Sequence, residues 1–359
     1  MIVSILLDQG LVEEIGTESE LGVGRPATTV RIRPEGALAF GCSIERDRLD
    51  GAWVNVDGAP VASAAVMIAP GEEPVVTIRR LQALYGDLLR ELTDEQSLRV
   101  LPAIGLALPG PIDPVTETLV NPPRFPLWGG VRPRDLFDAD WAVPVFVENA
   151  ATAAALGEAW QSRTNLRNFL YCHWGVGIGG GVVIDLETYR GTSGNAVELG
   201  HVPVVPDGQL CDCGASGCVE AEASLGAIIR QAEAEGLPSE FEKLVELASV
   251  DSRASALFER AGQLLAQALL GAVNLFDVDA VVIGGHHFTQ AATWLLPPVR
   301  DVVETRTMRR GVRPVSVTCS LVGEAASAIG AASVVFDRLL PGGVLGGSNG
   351  RIQRARASS

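Results

Sequence analysis

Three cysteines within eight residues, Cys211, Cys213 and Cys218, constrain this chain more than any other feature. Zinc takes four soft or borderline ligands in a tetrahedron, and cysteine thiolate and histidine nitrogen are its usual donors. Gly214 and Gly217 let the backbone wrap tightly enough for three sulfurs to converge, and His201, after Gly200, is the natural fourth ligand. With every position filled by protein, no place is left for a reactive water, so the expected Zn2+ site is structural. The alternative is three free cysteines in a turn. It sits poorly with the Asp212 and glycines between them, since inert cysteines lie among apolar neighbours. Cys42, Cys172 and Cys319 do stand in apolar, strand-like runs and read as buried small hydrophobes.

A loop of this kind needs a body, and the 359-residue chain is long enough for two or three domains. Ala52 to Val56 and Pro60 to Ala65 flank Asp57-Gly58, a hairpin signal. Val75, Ile78, Leu81, Leu84, Leu88 and Leu92 recur at helical spacing. Leu101 to Leu108 reads as a buried strand, Pro144 to Val147 as another, and Ala150 to Trp160 as an alanine-rich helix. A similar pattern follows: a strand at Phe169 to His173, a glycine turn over 175–181, and a return strand at Val182 to Ile184. A long helix over 255–276, strands at Ala280 to Ile283 and Val315 to Cys319, and a closing helix over 325–340 complete it. Strand–helix alternation of this kind implies two α/β halves with a cleft between them.

The net charge of −15 disfavours non-specific attraction of the body to nucleic acid or anionic membrane, without excluding a small attached DNA-reading module. No apolar run reaches eighteen residues and the start lacks a basic n-region, so a cytoplasmic protein without membrane partners is expected.

The run Gly194-Asn195-Ala196-Val197-Glu198-Leu199-Gly200-His201, with the cysteine loop and Val219-Glu220 after it, resembles the signature of the ROK family of repressors, open reading frames and sugar kinases. Leu108-Pro109-Gly110-Pro111, Val147-Glu148-Asn149, the glycines from Gly175 and Ile283-Gly284-Gly285 fall in that family's order. The resemblance implies an α/β, two-lobed actin-like ATPase (ribonuclease H-like) fold preceded by a partial winged helix-turn-helix. It divides the chain into a winged-helix remnant (1–35), a first lobe (36–149) and a second lobe carrying the zinc loop (150–341). A Gly-, Ser- and Arg-rich stretch, 342–359, reads as a disordered tail.

Carried over from the family, the sugar-binding residues are Asn149, Glu198, His201 and Glu220. Carboxylates and amides at fixed angles pair with sugar hydroxyls, each both donor and acceptor. Glu198 and Glu220 would alternatively only support the zinc loop. Two departures bear on catalysis. Where the family's kinases have an aspartate acting as base, this chain has Ala150, which cannot accept a proton. Where they have a glycine-rich phosphate loop, it has Ser43-Ile44-Glu45-Arg46-Asp47, whose carboxylates repel phosphate. The expectation is a regulator, a repressor by family type, that senses a carbohydrate and is not an enzyme. An ATP-dependent sugar kinase is the disfavoured rival.

Val3-Ser4, Gly10-Leu11-Val12-Glu13-Glu14 and Gly24-Arg25-Pro26 resemble the end of the winged helix in the family's repressors. This implies operator DNA as a partner, with Ser4 and Arg25 on the DNA side, in a homodimer or homotetramer. The helices that would seat the recognition helix would lie before Met1. Asp8, Glu13, Glu14, Glu18, Glu20 and Glu35 outnumber Arg25, Arg31 and Arg33, so residues 1–35 carry no basic footprint. Either the natural product is longer, or the chain is a truncated sugar-binding protein without DNA binding. His173 reads as a core histidine, His286 and His287 as exposed loop histidines, and Arg306, Arg309, Arg310 and Arg313 as a solvated basic run.

Overall fold

A short helix, α1 (Ile2–Asp8), and an antiparallel hairpin, β1 (Val12–Glu18) with β2 (Ala27–Ile32), lead the chain. The structure is a computed structural model and describes residues 2–18, 27–123, 125–137, 141, 143–161 and 166–340. Ser4 is exposed on α1, while Arg25 and the stretch 342–359 lie outside the described residues. Gly10 takes φ +69 where α1 ends, and Leu11 then drops into an apolar cluster with Trp160 and Phe336.

The first sheet is built on β3 (Leu38–Ile44), whose seven residues are all buried. With β4 (Arg48–Asn55) and β5 (Pro60–Met67) it forms an antiparallel meander. The β4–β5 turn falls at Asp57-Gly58 as expected, with Asn55 Oδ1 accepting from the Asp57 and Ala59 amides at 3.1 and 2.9 Å. Helix α2 (Pro74–Glu91) buries Ile78, Leu81, Leu84 and Leu88, and α3 (Asp94–Ser97) is a single capped turn. β6 (Val100–Leu108) and β7 (Val145–Asn149) add in parallel, giving the order β5-β4-β3-β6-β7.

Helix α4 (Ala150–Gln161) leads to the second sheet. There β8 (Phe169–Trp174), β9 (Ile178–Ile184) and β10 (Glu187–Thr188) make a second antiparallel meander. After α5 (Val219–Ala223), α6 (Leu225–Ala234), α7 (Phe241–Ala248) and α8 (Ser252–Phe276) comes β11 (Ala280–Gly284). Helix α9 (Phe288–Arg306) continues through Pro297-Pro298 to β12 (Ser316–Cys319), and α10 (Ala326–Leu339) closes the described chain. The order β10-β9-β8-β11-β12, with β8, β11 and β12 parallel, repeats the plan of the first sheet. Among the described residues no helix is long and apolar enough to cross a membrane.

Four expectations need correction. The glycines 179–181 are not a turn but the body of β9; only 175–177 make the turn. A Cβ on Gly181 would lie 2.7 Å from the Ala151 carbonyl oxygen, so bare strand lets α4 close in on that face, and one on Gly180 would lie 2.8 Å from that of Val197, so the segment leading to His201 closes in on the other. Second, a cut at 149/150 places α10 with the second lobe, whereas it packs on β3, β6 and β4 of the first sheet. A Cβ on Gly105 would sit 1.8 Å from the Ala331 carbonyl oxygen, and one on Gly330 1.6 Å from that of Ala153. Crossed helices α4 and α10 thus form an alanine- and glycine-rich spine, α4 on the second sheet and α10 on the first. Third, Cys42 and Cys172 are buried but Cys319 is exposed, because β12 is an edge strand. Fourth, Arg309 is largely buried, held by Asp277 and Asp279 at 2.9 and 2.8 Å.

Candidate functional site

The four expected metal ligands meet. His201 ends a 3-10 turn (Leu199–His201), and Cys218 immediately precedes α5. Gly217, at φ +73, donates its amide to Gln209 and passes so close to Val205 that a Cβ would overlap its carbonyl oxygen. Glu222 braces the loop from behind by accepting the Gln209 amide at 2.6 Å. The His201 and cysteine donor atoms all lie within 4.8 Å of one another. A zinc tetrahedron with bonds of about 2.3 Å to sulfur and 2.0 Å to nitrogen has S–S edges near 3.8 Å and S–N edges near 3.5 Å. Cys213 and Cys218 sulfurs are 3.7 Å apart, and Cys211 sulfur is 3.5 Å from His201 Nδ1. The other ring nitrogen, Nε2, faces Glu198 at 3.9 Å, the carboxylate partner that metal-bound histidines usually have. Burial pushes the Cys218 thiol up to about 12, so it is a cation that would hold it as thiolate. The set is compatible with zinc, and the metal would supply only coordination.

Beside this centre, between the lobes, lies a cavity of about 170 Å3. It is lined by all of Asn149, Glu198, His201 and Glu220, together with Ala150. Asn149 ends β7, and its Oδ1 accepts from the Ala151 and Thr152 amides at 2.9 and 3.3 Å, capping α4 and turning its Nδ2 toward Gly110. Glu220 is held in α5 and accepts the Ile178 amide at 2.9 Å, tying the cysteine loop to β9. Burial, reinforced by the neighbouring Glu220 and opposed by His201, raises the Glu198 carboxyl. Phe125, Pro123 and Pro109 give the cavity an apolar wall. Hydrogen-bonding groups facing an apolar wall suit a small polyhydroxylated ring.

Two further parts of the wall were not anticipated there. The β3–β4 turn, Glu45-Arg46-Asp47, lines the cavity, and so does His173. His173 is therefore no core histidine: its Nε2 faces Glu45 across the lobes at 3.9 Å. Burial, then the Asp50 charge, raises Glu45 to about 7, with His286 and Arg48 opposing. Burial and the nearby His286 lower His173 to about 4. Nor is His286 a plain loop histidine, since it contacts both Arg48 and Glu324; His287 packs edge-on against Phe241. Opposite, Asn195 pairs with the Ile112 amide and carbonyl at 2.7 and 2.8 Å, and Arg190 with Glu148 at 2.9 Å, joining the lobes there. These pairs join residues far apart in sequence, and although Asn195 and Glu148 each sat in a recognisable motif, neither motif named its partner.

The ROK family model matches residues 80–338. The glucokinase of Thermotoga maritima is 33% identical over 291 residues, covering 76% of this chain and 88% of that protein. The xylose repressor of Bacillus spizizenii is 25% identical over 340 residues, covering 94% of this chain and 87% of that protein. A solved ROK family glucokinase from Streptomyces griseus, in complex with glucose and AMPPNP, superposes with a TM-score of 0.71 at 25% identity, covering 83% of this chain and 99% of that one. The expected α/β, two-lobed actin-like ATPase fold is thereby borne out.

Proposed function

The chain belongs to the ROK family, and we propose that within it this protein is a non-catalytic transcriptional regulator that senses a sugar or sugar derivative in the interlobe cavity. Repressors and kinases both stand among its relatives, so family membership does not choose between them. The observation that carries the reading is Ala150. It lies in the cavity wall directly after Asn149, where a phosphoryl-transfer enzyme would need a carboxylate to take the sugar's proton. The acidic turn Glu45-Arg46-Asp47 supports the same reading, because phosphate there would meet carboxylates instead of backbone amides. The repressor alignment also reaches over more of the chain than the glucokinase alignment.

Asn149, Glu198, His201 and Glu220 hold the sugar in this reading. A structural zinc on His201, Cys211, Cys213 and Cys218 fixes His201 directly and Glu220 through α5. The N-terminal segment 1–35, with Ser4 and Arg25, supplies the operator-facing part, and the two lobes, assembled as a dimer or tetramer in the cytoplasm, relay ligand binding to it.

An ADP-release assay against D-xylose, D-glucose and amino sugars, run beside calorimetry on the same panel, tests this. Binding without turnover, lost in Glu198→Ala, is the expected result. Sugar-dependent ADP release that Asn149→Ala abolishes would overturn it.

A further inference from the structure

The spine of α4 and α10 joins the lobes through packed backbone, and the Asn195 and Arg190 contacts pin one flank of the cavity. The other flank is joined differently. Arg48, at the start of β4, is held by the buried Asp50 of its own strand at 2.7 Å. Across the cleft its guanidinium meets His286, which follows β11, and Glu324, just before α10, at 3.5 Å. The imidazole stands between them: its Nδ1 is 2.7 Å from the Glu324 carboxylate, and Arg48 Nη1 lies against the ring, 2.9 Å from Nδ1 and 3.1 Å from Nε2. None of these three side chains lines the cavity. Yet Arg48 adjoins the turn that does, and Arg48 carbonyl oxygen accepts the Glu45 amide at 2.8 Å.

We propose that Arg48, His286 and Glu324 form a releasable interlobe latch, coupled to cavity occupancy through the turn 45–47. If the lobes part, Arg48 keeps its Asp50 partner and stays neutralised, so opening leaves no buried charge bare. Glu324 is half-exposed, which keeps its contact with Arg48 weak enough for a ligand to reverse. A ligand that displaces Glu45 or Asp47 moves the strand end bearing Arg48. By linkage, whatever factor the ligand applies to latch opening, latch loss applies to ligand affinity. The sugar arm of this inference rests on the function proposed above; the latch itself does not.

Hydrogen–deuterium exchange on the full chain tests it, comparing wild type with Arg48→Met, Glu324→Gln and the double variant. Each single variant is expected to speed exchange of residues 45–50 and 284–288 about twofold to fivefold, the range that partly exposed ion pairs give. At 284–288 the double variant is expected to fall short of the product of the two single effects, since Arg48 and Glu324 touch each other and share His286. Unchanged exchange in Glu324→Gln, a surface change that leaves the core intact, would overturn the latch, and so would fully multiplicative effects. D-Xylose and D-glucose then probe the coupling: a sugar that binds wild type and Arg48→Met equally, and leaves exchange at 45–50 unaltered, refutes it. If no sugar of the xylose, glucose and amino-sugar panel binds while the variants still speed exchange, the latch stands and the sugar reading falls.

Discussion

Replacing Glu45 with Gln should stabilise the protein at pH 8 and do little at pH 4. In the fold the Glu45 carboxyl is raised from 4.5 to about 7, chiefly by burial and then by Asp50. Below the unfolded value it is neutral in both states. Between the two values only the folded state keeps the proton, and above about 7 the folded state must carry a buried anion. A raised carboxyl therefore contributes stability that is lost as pH rises through 7. A shift of this size corresponds to about 3 kcal/mol at full effect. The Glu45 side chain is 23% exposed, and with that solvent screening about 2 kcal/mol is the better expectation. His173 runs the other way: lowered from 6.5 to about 4, it contributes stability above 6.5 that is lost as pH falls. In wild type the two slopes oppose one another between about pH 4.5 and 6.5. In Glu45→Gln the carboxyl's opposing slope is gone while those of His173 and His287, both lowered to about 4, remain, so stability should climb more with pH there than in wild type. Urea unfolding midpoints at pH 4.5, 5.5, 6.5 and 8 read this out. The metal centre titrates alike in both proteins, so the difference between them is the quantity that counts. A variant no more stable than wild type at pH 8, or a difference that does not vary with pH, would refute the reasoning.

Three other outcomes are expected. Purified protein should carry about one zinc per chain by elemental analysis, and Cys218→Ser, which breaks the tetrahedron, should lose most of it and melt lower. Gly330→Ala puts a Cβ on the Ala153 carbonyl oxygen and should cost about 3 kcal/mol or more in urea unfolding. Gly271→Ala, with no atom within 4 Å inside α8, should instead gain about 0.5–1 kcal/mol. Asn149→Ala should cost about 1 kcal/mol through loss of the α4 cap and should abolish sugar binding in calorimetry, whereas Asn149→Asp, which keeps the capping oxygen, should lose binding alone.

What was legible in the sequence was local. The cysteine spacing set the donor quartet because all its members lie between 201 and 218. The period of Ile78, Leu81, Leu84 and Leu88 set α2, and Asp57-Gly58 set a hairpin. Asn149, Glu198, His201 and Glu220 were gathered only through family resemblance, and the structure places all four around one cavity. Misreadings came where a residue's environment is made by a distant segment. Gly179–Gly181 carry turn composition, yet their lack of side chains serves the approach of α4 on one face and of Val197 on the other. His173 sits in an apolar strand, and nothing nearby in sequence announces Glu45 across the cleft. Arg48 and Glu324 are separated by most of the chain. Likewise, α10 gives no local sign of which sheet it will cover; small residues on both α4 and α10 decide that.

The repeated sheet plan explains why these distant groups converge. In matched order β3, β4, β5, β6 and β7 correspond to β8, β9, β10, β11 and β12. The two meander turns, 45–47 and 175–177, are then equivalent, and both contribute to the cavity wall. Pro109 and Gly110 follow β6 as Gly285 and His286 follow β11; α4 follows β7 as α10 follows β12. The carboxyl ends of parallel strands are where such sheets bind ligands, and here both sets of ends face one cleft. The halves have diverged in what they bring to it. One turn is acidic and the other is glycine and valine, so the same position makes a charged wall in the first lobe and a close backbone wall in the second. After β7 the chain presents Asn149 and Ala150 to the cavity; after β12 it presents Glu324 to Arg48. Equivalent positions thus line the cavity on one side and make a lobe contact on the other. If the cavity senses a ligand as proposed, a cleft walled by two sheets can report it through their spacing, which a pocket within one rigid lobe could not do.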